Sequence, residues 1–149
     1  MEVSQNCIEL TKKFEGLRLE GYYCPAHVPT IGFGSTMYQD GTKVKIGDVL
    51  TLQEAESLLV WELQTKGKAM PKLKLNQSQY DAVMSFVFNL GLGAFKGSTL
   101  YKKININSTD PLIRTEFSKW NKARVNGALI ELKGLTNRRK AEADLYFKV

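Results

Sequence analysis

The chain has 149 residues, of which 43% are hydrophobic and 24% are charged. These proportions are typical of a folded protein, and they exclude a disordered, collagen-like or disulfide-dense chain. The longest apolar runs are far shorter than the roughly 20 residues that a membrane-spanning helix needs. The first residues also lack the basic start and apolar stretch of a secretion signal. We therefore expect a single domain over residues 1–149, with no signal peptide and no stable membrane insertion.

The net charge and the scarce residue types narrow the classes of function. Lys and Arg number 21 against 15 Asp and Glu, for a formal net charge of +6. Such a surface favours polyanions, namely nucleic acid, acidic lipid headgroups or the anionic polymers of a bacterial envelope. Two cysteines and one histidine are too few for a four-ligand zinc site, and no Gly-x-Ser-x-Gly turn presents a nucleophilic serine. We expect no metal site and no cofactor.

The first third of the chain predicts one helix followed by a small sheet. Apolar residues at helical spacing predict a helix over residues 5–15, with Ser4 as its N-cap and Gly16 as its stop. Residues 17–50 then combine strand-like pairs with closely spaced glycines and prolines. That pattern predicts a small antiparallel sheet of hairpins.

The next segment predicts two longer helices. Residues 51–54 match the capping-box pattern and begin a helix that runs to about Lys66. A weaker box of the same type at residues 76–79 begins a second helix, which Gly91 and Gly93 are predicted to end.

Shorter elements are predicted in the last third of the chain. Ser98 begins one short helix, and Asp110 caps another with Pro111 at its first position. Residues 126–127 are an Asn-Gly pair, which predicts a tight turn, and Thr136 is predicted to cap a final helix. The fold class is therefore α+β and mainly helical, with a small N-terminal sheet lobe and a larger helical lobe over about 51–149.

Glu15 is the first candidate for chemistry. It is predicted to lie in the last turn of the first helix, where the partly negative carbonyl end of the helix dipole opposes ionisation of a carboxylate. A carboxyl group that tends to keep its proton suits a general acid. The alternative is a solvated glutamate at a helix end.

Several motifs occur in one order along nearly the whole chain. They are Phe14-Glu15-Gly16-Leu17-Arg18-Leu19, Tyr22-Tyr23-Cys24-Pro25, Thr30-Ile31-Gly32-Phe33-Gly34, Ser85-Phe86-Val87-Phe88-Asn89-Leu90-Gly91, and Gly134-Leu135 with Arg138-Arg139 and Glu142. Together they resemble the phage-type lysozymes of glycoside hydrolase family 24.

This resemblance implies a lysozyme-like fold and a muramidase. Such an enzyme hydrolyses the β-1,4 bond between N-acetylmuramic acid and N-acetylglucosamine in peptidoglycan, in a cleft between the two lobes. Glu15 is implied as the general acid, and Thr30 as the residue that places the attacking water. The family's usual middle residue is an aspartate, whose position is held here by Cys24. As a thiolate, Cys24 could act as base, electrostatic partner or nucleophile; the alternative is that it only fills space, and the inverting or retaining outcome stays open.

The resemblance also implies substrate-binding residues near the cleft. Asn89, Ser98 and Thr99 lie at positions from which they could hydrogen-bond sugar amides and hydroxyls. Capping of a helix is the competing role for Ser98.

Other polar residues have more ordinary interpretations. Glu20 and Asp40 could replace the missing second carboxylate, but an exposed strand residue and a turn residue are the simpler predictions. Cys7 is predicted to be a buried structural thiol, although a disulfide between Cys7 and Cys24 stays open. His27 is predicted to be a loop residue.

The leading functional hypothesis is an endolysin for phage-induced lysis of the host cell. We expect it to bind peptidoglycan as a monomer, to be made in the host cytoplasm and to reach the wall through a separate membrane pore. A catalytically weak or inactive peptidoglycan-binding protein is one alternative. A small basic nucleic-acid-binding domain is another, but no zinc finger or aromatic-basic motif supports it, and we expect no nucleic-acid partner.

Overall fold

The computed structural model describes residues 1–149 and contains seven helices and two antiparallel hairpins. The helices are α1 Gln5–Glu15, α2 Leu52–Lys68, α3 Gln77–Leu90, α4 Leu92–Lys96, α5 Thr99–Ile106, α6 Ile113–Ser118 and α7 Lys133–Tyr146. The strands are β1 Arg18–Tyr23, β2 Pro29–Gly32, β3 Lys122–Val125 and β4 Ala128–Glu131. This is the α+β, mainly helical architecture that the sequence predicts. None of the helices combines the length and the apolar content that crossing a membrane requires.

The ends of the first three helices agree with the predicted caps. The Ser4 side chain accepts a hydrogen bond at the start of α1, and Gly16 follows its last residue with φ 71°. At the start of α2, the Glu54 N–H donates to Thr51 Oγ1 at 3.1 Å while the Glu54 carboxylate accepts from the Thr51 N–H at 2.9 Å. Residues 76–79 form the same reciprocal pair at the start of α3. Each cap satisfies backbone groups that the helix itself leaves free.

Two predicted helix starts were wrong by a few residues. The last helix begins at Lys133, and Thr136 lies inside it, where its hydroxyl accepts from Asn121 at 3.1 Å instead of capping. Residues 111–112 form a turn, so α6 begins at Ile113 and not at the proline.

Two short elements do not follow from the sequence pattern. Gly91, with a φ of 94°, ends α3 as predicted. Gly93 does not act as a helix stop, because it lies inside a separate five-residue helix, α4. The Asn126-Gly127 turn is confirmed, with φ of 50° and 82°, but it joins two strands, β3 and β4. Nearly all residues of these strands are exposed, so the alternating pattern of a half-buried strand is missing.

Helix α3 is the centre of the packing, because apolar side chains cover it on two sides. On one side it packs into a cluster of 11 buried residues that includes Phe86, Phe95 and Phe117. On the other side a cluster of seven buried residues, including Phe33 and Leu59, joins α3 to α1, α2 and the segment after β2. Both α1 and α7 contact α3 and each other. The C-terminal end of α1 is therefore fixed beside α7.

The first hairpin and the chain after it form the small lobe. Strands β1 and β2 pair antiparallel, with Tyr22 opposite Thr30. The Gly21 N–H donates to the Asp48 carbonyl at 2.9 Å, and a Cβ at Gly21 would lie 2.6 Å from the Lys45 carbonyl oxygen. Only glycine permits this close approach of the 45–49 segment to β1.

Candidate active site

Glu15 is the last residue of α1, and its carboxylate is held from two sides. Its Oε1 lies 2.5 Å from Arg138 Nη1 of α7, with side-chain exposures of 21% for Glu15 and 4% for Arg138. Gly34 lies on the other side of the carboxylate. Its φ is +92°, and a Cβ atom added there would lie 3.2 Å from Glu15 Oε2. The carboxylate therefore has one orientation, set by α7 and by the turn after β2.

A buried polar cluster of Ser85, Arg138, Arg139 and Glu142 lies behind Glu15. Ser85 Oγ donates to Glu142 Oε2 at 2.6 Å, and Arg139 Nη2 lies 3.0 Å from the same oxygen. Burial is the main influence on this pair: it raises the pKa of Glu142 and lowers the pKa of Arg139, while each partner's charge opposes the shift of the other. Arg139 Nη2 also donates to Asn89 Oδ1 at 2.9 Å. The cluster thus positions both Glu15 and Asn89.

An open cleft of about 470 Å³ lies beside Glu15. Residues from the end of α1, the segment after β2, helix α2 and the end of α3 line it: Glu15, Gly34, Thr36, Met37, Trp61, Glu62, Thr65, Lys66, Phe88 and Asn89. The volume is in the range of small-molecule binding sites, and only three of the ten lining residues are hydrophobic. Glu15 and Asn89 therefore line the same cleft.

Glu62 is a second carboxyl group in this cleft, and no motif or spacing in the sequence singles it out. Burial raises its pKa, and the charge of Glu15 acts in the same direction, while the side chain of Ser35 and the charge of Lys66 oppose the shift. Glu62 and Lys66 lie four residues apart on α2, which in sequence is typical of a solvated helix face. The face of α2 that carries Glu62 and Lys66 lines the cleft only because α2 packs against the small lobe.

Cys24 and Thr30 come together at the end of the first hairpin. The Val28 carbonyl accepts both the Cys24 N–H at 3.1 Å and the Thr30 hydroxyl at 2.8 Å. Hydrogen bonding by the Val28 backbone is the largest cause that lowers the pKa of the Cys24 thiol, and the Thr30 side chain adds to it. Neither residue is among those that line the Glu15 cleft. His27 belongs to the same loop, where its ring stacks on Tyr23 at 4.3 Å.

Ser98 and Thr99 line a different pocket. That pocket has a volume of about 500 Å³ and includes Trp120 and the end of α6. Ser98 Oγ accepts from the Tyr101 N–H at 3.0 Å and donates to the Phe95 carbonyl at 2.6 Å, so it caps α5. The structure does not bring these two residues to the cleft that Glu15 lines.

The remaining polar candidates have structural surroundings. Both cysteines are free, and complete burial raises the pKa of Cys7 to about 12. Cys24 is therefore not joined to Cys7 in this structure. Glu20 is exposed on β1, and Asp40 accepts the Thr42 N–H at 2.9 Å in a turn. Neither of these carboxylates lines the Glu15 cleft.

Comparison with known proteins identifies the family. The phage lysozyme family matches residues 12–142. An endolysin of Acyrthosiphon pisum secondary endosymbiont phage 1 is 41% identical over 98% of each chain. Two solved structures superpose closely. The endolysin from Escherichia coli O157:H7 phage FAHEc1 has a TM-score of 0.90 and 35% identity, covering 99% of this chain and 94% of its own. The muramidase domain of SpmX from Asticaccaulis excentricus has a TM-score of 0.85 and 29% identity, with 99% of each chain covered. The chain belongs to the phage lysozyme family.

Proposed function

We propose that this protein is an endolysin with lysozyme activity, which hydrolyses the β-1,4 bond between N-acetylmuramic acid and N-acetylglucosamine in peptidoglycan. The observation that carries the proposal is Glu15, a carboxyl group at the edge of an open cleft that a buried arginine holds in one orientation. The relatives named endolysin and the related muramidase domain support the same reaction.

In the proposed reaction, Glu15 donates its proton to the oxygen of the glycosidic bond. The bond from that oxygen to the anomeric carbon breaks, its electron pair stays on the oxygen, and positive charge develops on the sugar ring. Water adds to the anomeric carbon and loses one proton, which completes the hydrolysis. Arg138 is a positioning residue in this scheme. It fixes the carboxyl group and stabilises the carboxylate that forms once the proton has left.

We assign the second half of the reaction to Cys24 and Thr30. They are not among the residues that line the Glu15 cleft, so in this assignment they act on the face of the sugar that is turned toward the first hairpin. The Thr30 hydroxyl donates to the Val28 carbonyl, so its lone pairs remain able to accept a hydrogen bond from the attacking water. Because the pKa of Cys24 is lowered, more of the thiol is ionised near neutral pH than in an ordinary cysteine. The thiolate can act as a base toward that water or as a negative charge near the developing cation.

Asn89 is proposed to bind sugar in the cleft. Its Oδ1 accepts from Arg139, which leaves the amide N–H groups to donate to sugar oxygens. Ser98 and Thr99 are proposed to contact a more distant part of the glycan strand, where it would enter the pocket beside Trp120.

The wider context is part of the same proposal. The protein acts as a single-domain monomer on the cell wall, and its net charge of +6 attracts it to the anionic envelope. It reaches the wall after release through a separate membrane pore and takes no nucleic-acid partner.

The test compares Glu15→Gln with Glu9→Gln, an exposed glutamate on the same helix. Loss of a general acid lowers the rate by about 10² to 10⁴. We expect purified walls to lose turbidity that much more slowly with Glu15→Gln and at the parent rate with Glu9→Gln. A Glu15→Gln protein that clears walls like the parent would refute the assignment. A parent that pellets with walls without clearing them would indicate the binding-only alternative.

A further inference from the structure

Lys66 holds a distinctive place in the Glu15 cleft. It lies in the last turn of α2, and its ammonium group is 5.9 Å from the centre of the Phe88 ring. Both residues line the cleft, in which Lys66 is the one positively charged side chain. The aromatic face attracts the cation and so favours a position of the ammonium group within the cleft.

The charge of Lys66 has no ion-pair partner in the protein. Arg138, which contacts the cleft residue Glu15, is already paired with that carboxylate. Lys66 takes part in none of the ion pairs of the structure. Glu62, one turn earlier on α2, forms no ion pair with Lys66 and acts on it only through the charge of its carboxyl group. The ammonium group is therefore available to an anion on a bound ligand.

Peptidoglycan supplies such an anion, whereas a neutral polymer of N-acetylglucosamine does not. Each N-acetylmuramic acid carries a lactyl group on its third oxygen. That group ends in a free carboxylate or continues into a stem peptide that has carboxylates of its own. A single cation in a cleft that binds the sugar chain would distinguish these substrates, because specificity is a difference between two affinities.

We propose that Lys66 binds a carboxylate of the lactyl or stem-peptide substituent and thereby selects muramic-acid glycans over neutral β-1,4-linked N-acetylglucosamine chains. This inference rests on the proposed function, since it assumes that the sugar chain lies in the Glu15 cleft. A charge-assisted hydrogen bond of this kind changes affinity by about tenfold or more.

The experiment measures binding without turnover, in a Glu15→Gln background. Three tetrasaccharides are the probes: alternating N-acetylglucosamine and N-acetylmuramic acid with stem peptides, the same chain without them, and chitotetraose. Lys66→Gln is the test variant. Lys68→Gln, on the same turn and outside the cleft, is the matched control, and Lys66→Arg restores the charge.

We expect Lys66→Gln to raise the Kd of muramic-acid probes about tenfold and to leave the Kd of chitotetraose unchanged. The control and Lys66→Arg should bind like the background protein. A loss seen with both muramic-acid probes assigns the lactyl carboxylate, and a loss confined to the peptide-bearing probe assigns the stem peptide.

Two outcomes would overturn the inference: unchanged affinity of Lys66→Gln for both muramic-acid probes, or an equal loss for chitotetraose. Failure of the proposed function looks different: the parent protein, with Glu15 intact, would leave the muramic-acid probes uncleaved, or the Glu15→Gln background would cleave them during the measurement.

Discussion

Replacing Arg138 with methionine tests whether the buried cluster holds Glu15. The substitution keeps an apolar stem of similar length but removes four hydrogen bonds of the guanidinium group: to Glu15 at 2.5 Å, to the Ser85 carbonyl at 3.2 Å, to Ser85 Oγ at 3.4 Å and to Glu142 at 3.4 Å. Removing one partner of a buried ion pair costs about 3–5 kcal/mol. Glu142 keeps Arg139 and Ser85, and Glu15 retains some solvent contact, so the lower end applies.

We therefore expect the free energy of unfolding to fall by about 3 kcal/mol. For a domain of this size, that corresponds to a decrease in Tm of roughly 6–12 °C. Urea denaturation and thermal unfolding both measure the effect. Lys140→Met is the matched control, since this exposed neighbour on α7 pairs with Asp144 at 3.2 Å, and a surface pair contributes no more than about 1 kcal/mol. Equal stability of the two variants would show that the buried cluster does not hold Glu15 as described.

Two further substitutions or modifications test the surroundings of the site. Gly34→Ala and Gly41→Ala both place a side chain at positive φ, 92° and 87°, but only the Cβ at Gly34 meets another residue, Glu15. Each should lose about 1–3 kcal/mol of stability, and only Gly34→Ala should also slow wall clearing; equal clearing rates would contradict the close contact. Iodoacetamide should label Cys24 well before Cys7, because the pKa of Cys24 is lowered and that of Cys7 is raised to about 12. The labelling rate should rise with pH and reach half its maximum below the pH typical of a free thiol. Peptide mapping identifies the labelled residue, and undiminished lysis by folded protein alkylated only at Cys24 would refute a direct role for that thiol.

The parts of the fold that follow from the sequence are those with short-range physical causes. The caps of α1, α2 and α3 are bonds between a side chain and a backbone group two or three residues away, so the residue types at that spacing predict them. The same holds for the Asn126-Gly127 turn, which requires residues that tolerate positive φ.

The parts that do not follow depend on contacts between distant segments. Glu15 and Arg138 are separated by 123 residues, and the sequence around either residue does not predict its contact with the other. Glu62 has the sequence context of a solvated residue and becomes part of a cleft only when the small lobe packs against α2. Ser98 and Thr99 belong to a motif that resembles the family, but the start of α5, where they lie, lines a pocket separate from the Glu15 cleft.

Chemical analysis of the digestion products tests the central claim most directly. Walls are digested to completion, the new reducing ends are converted to sugar alcohols with borohydride, and the fragments are identified by mass spectrometry. The proposed reaction predicts that every new reducing end is N-acetylmuramic acid and that no peptide or amide bond is cleaved. New reducing ends on N-acetylglucosamine, or released peptides with intact glycan strands, would contradict it.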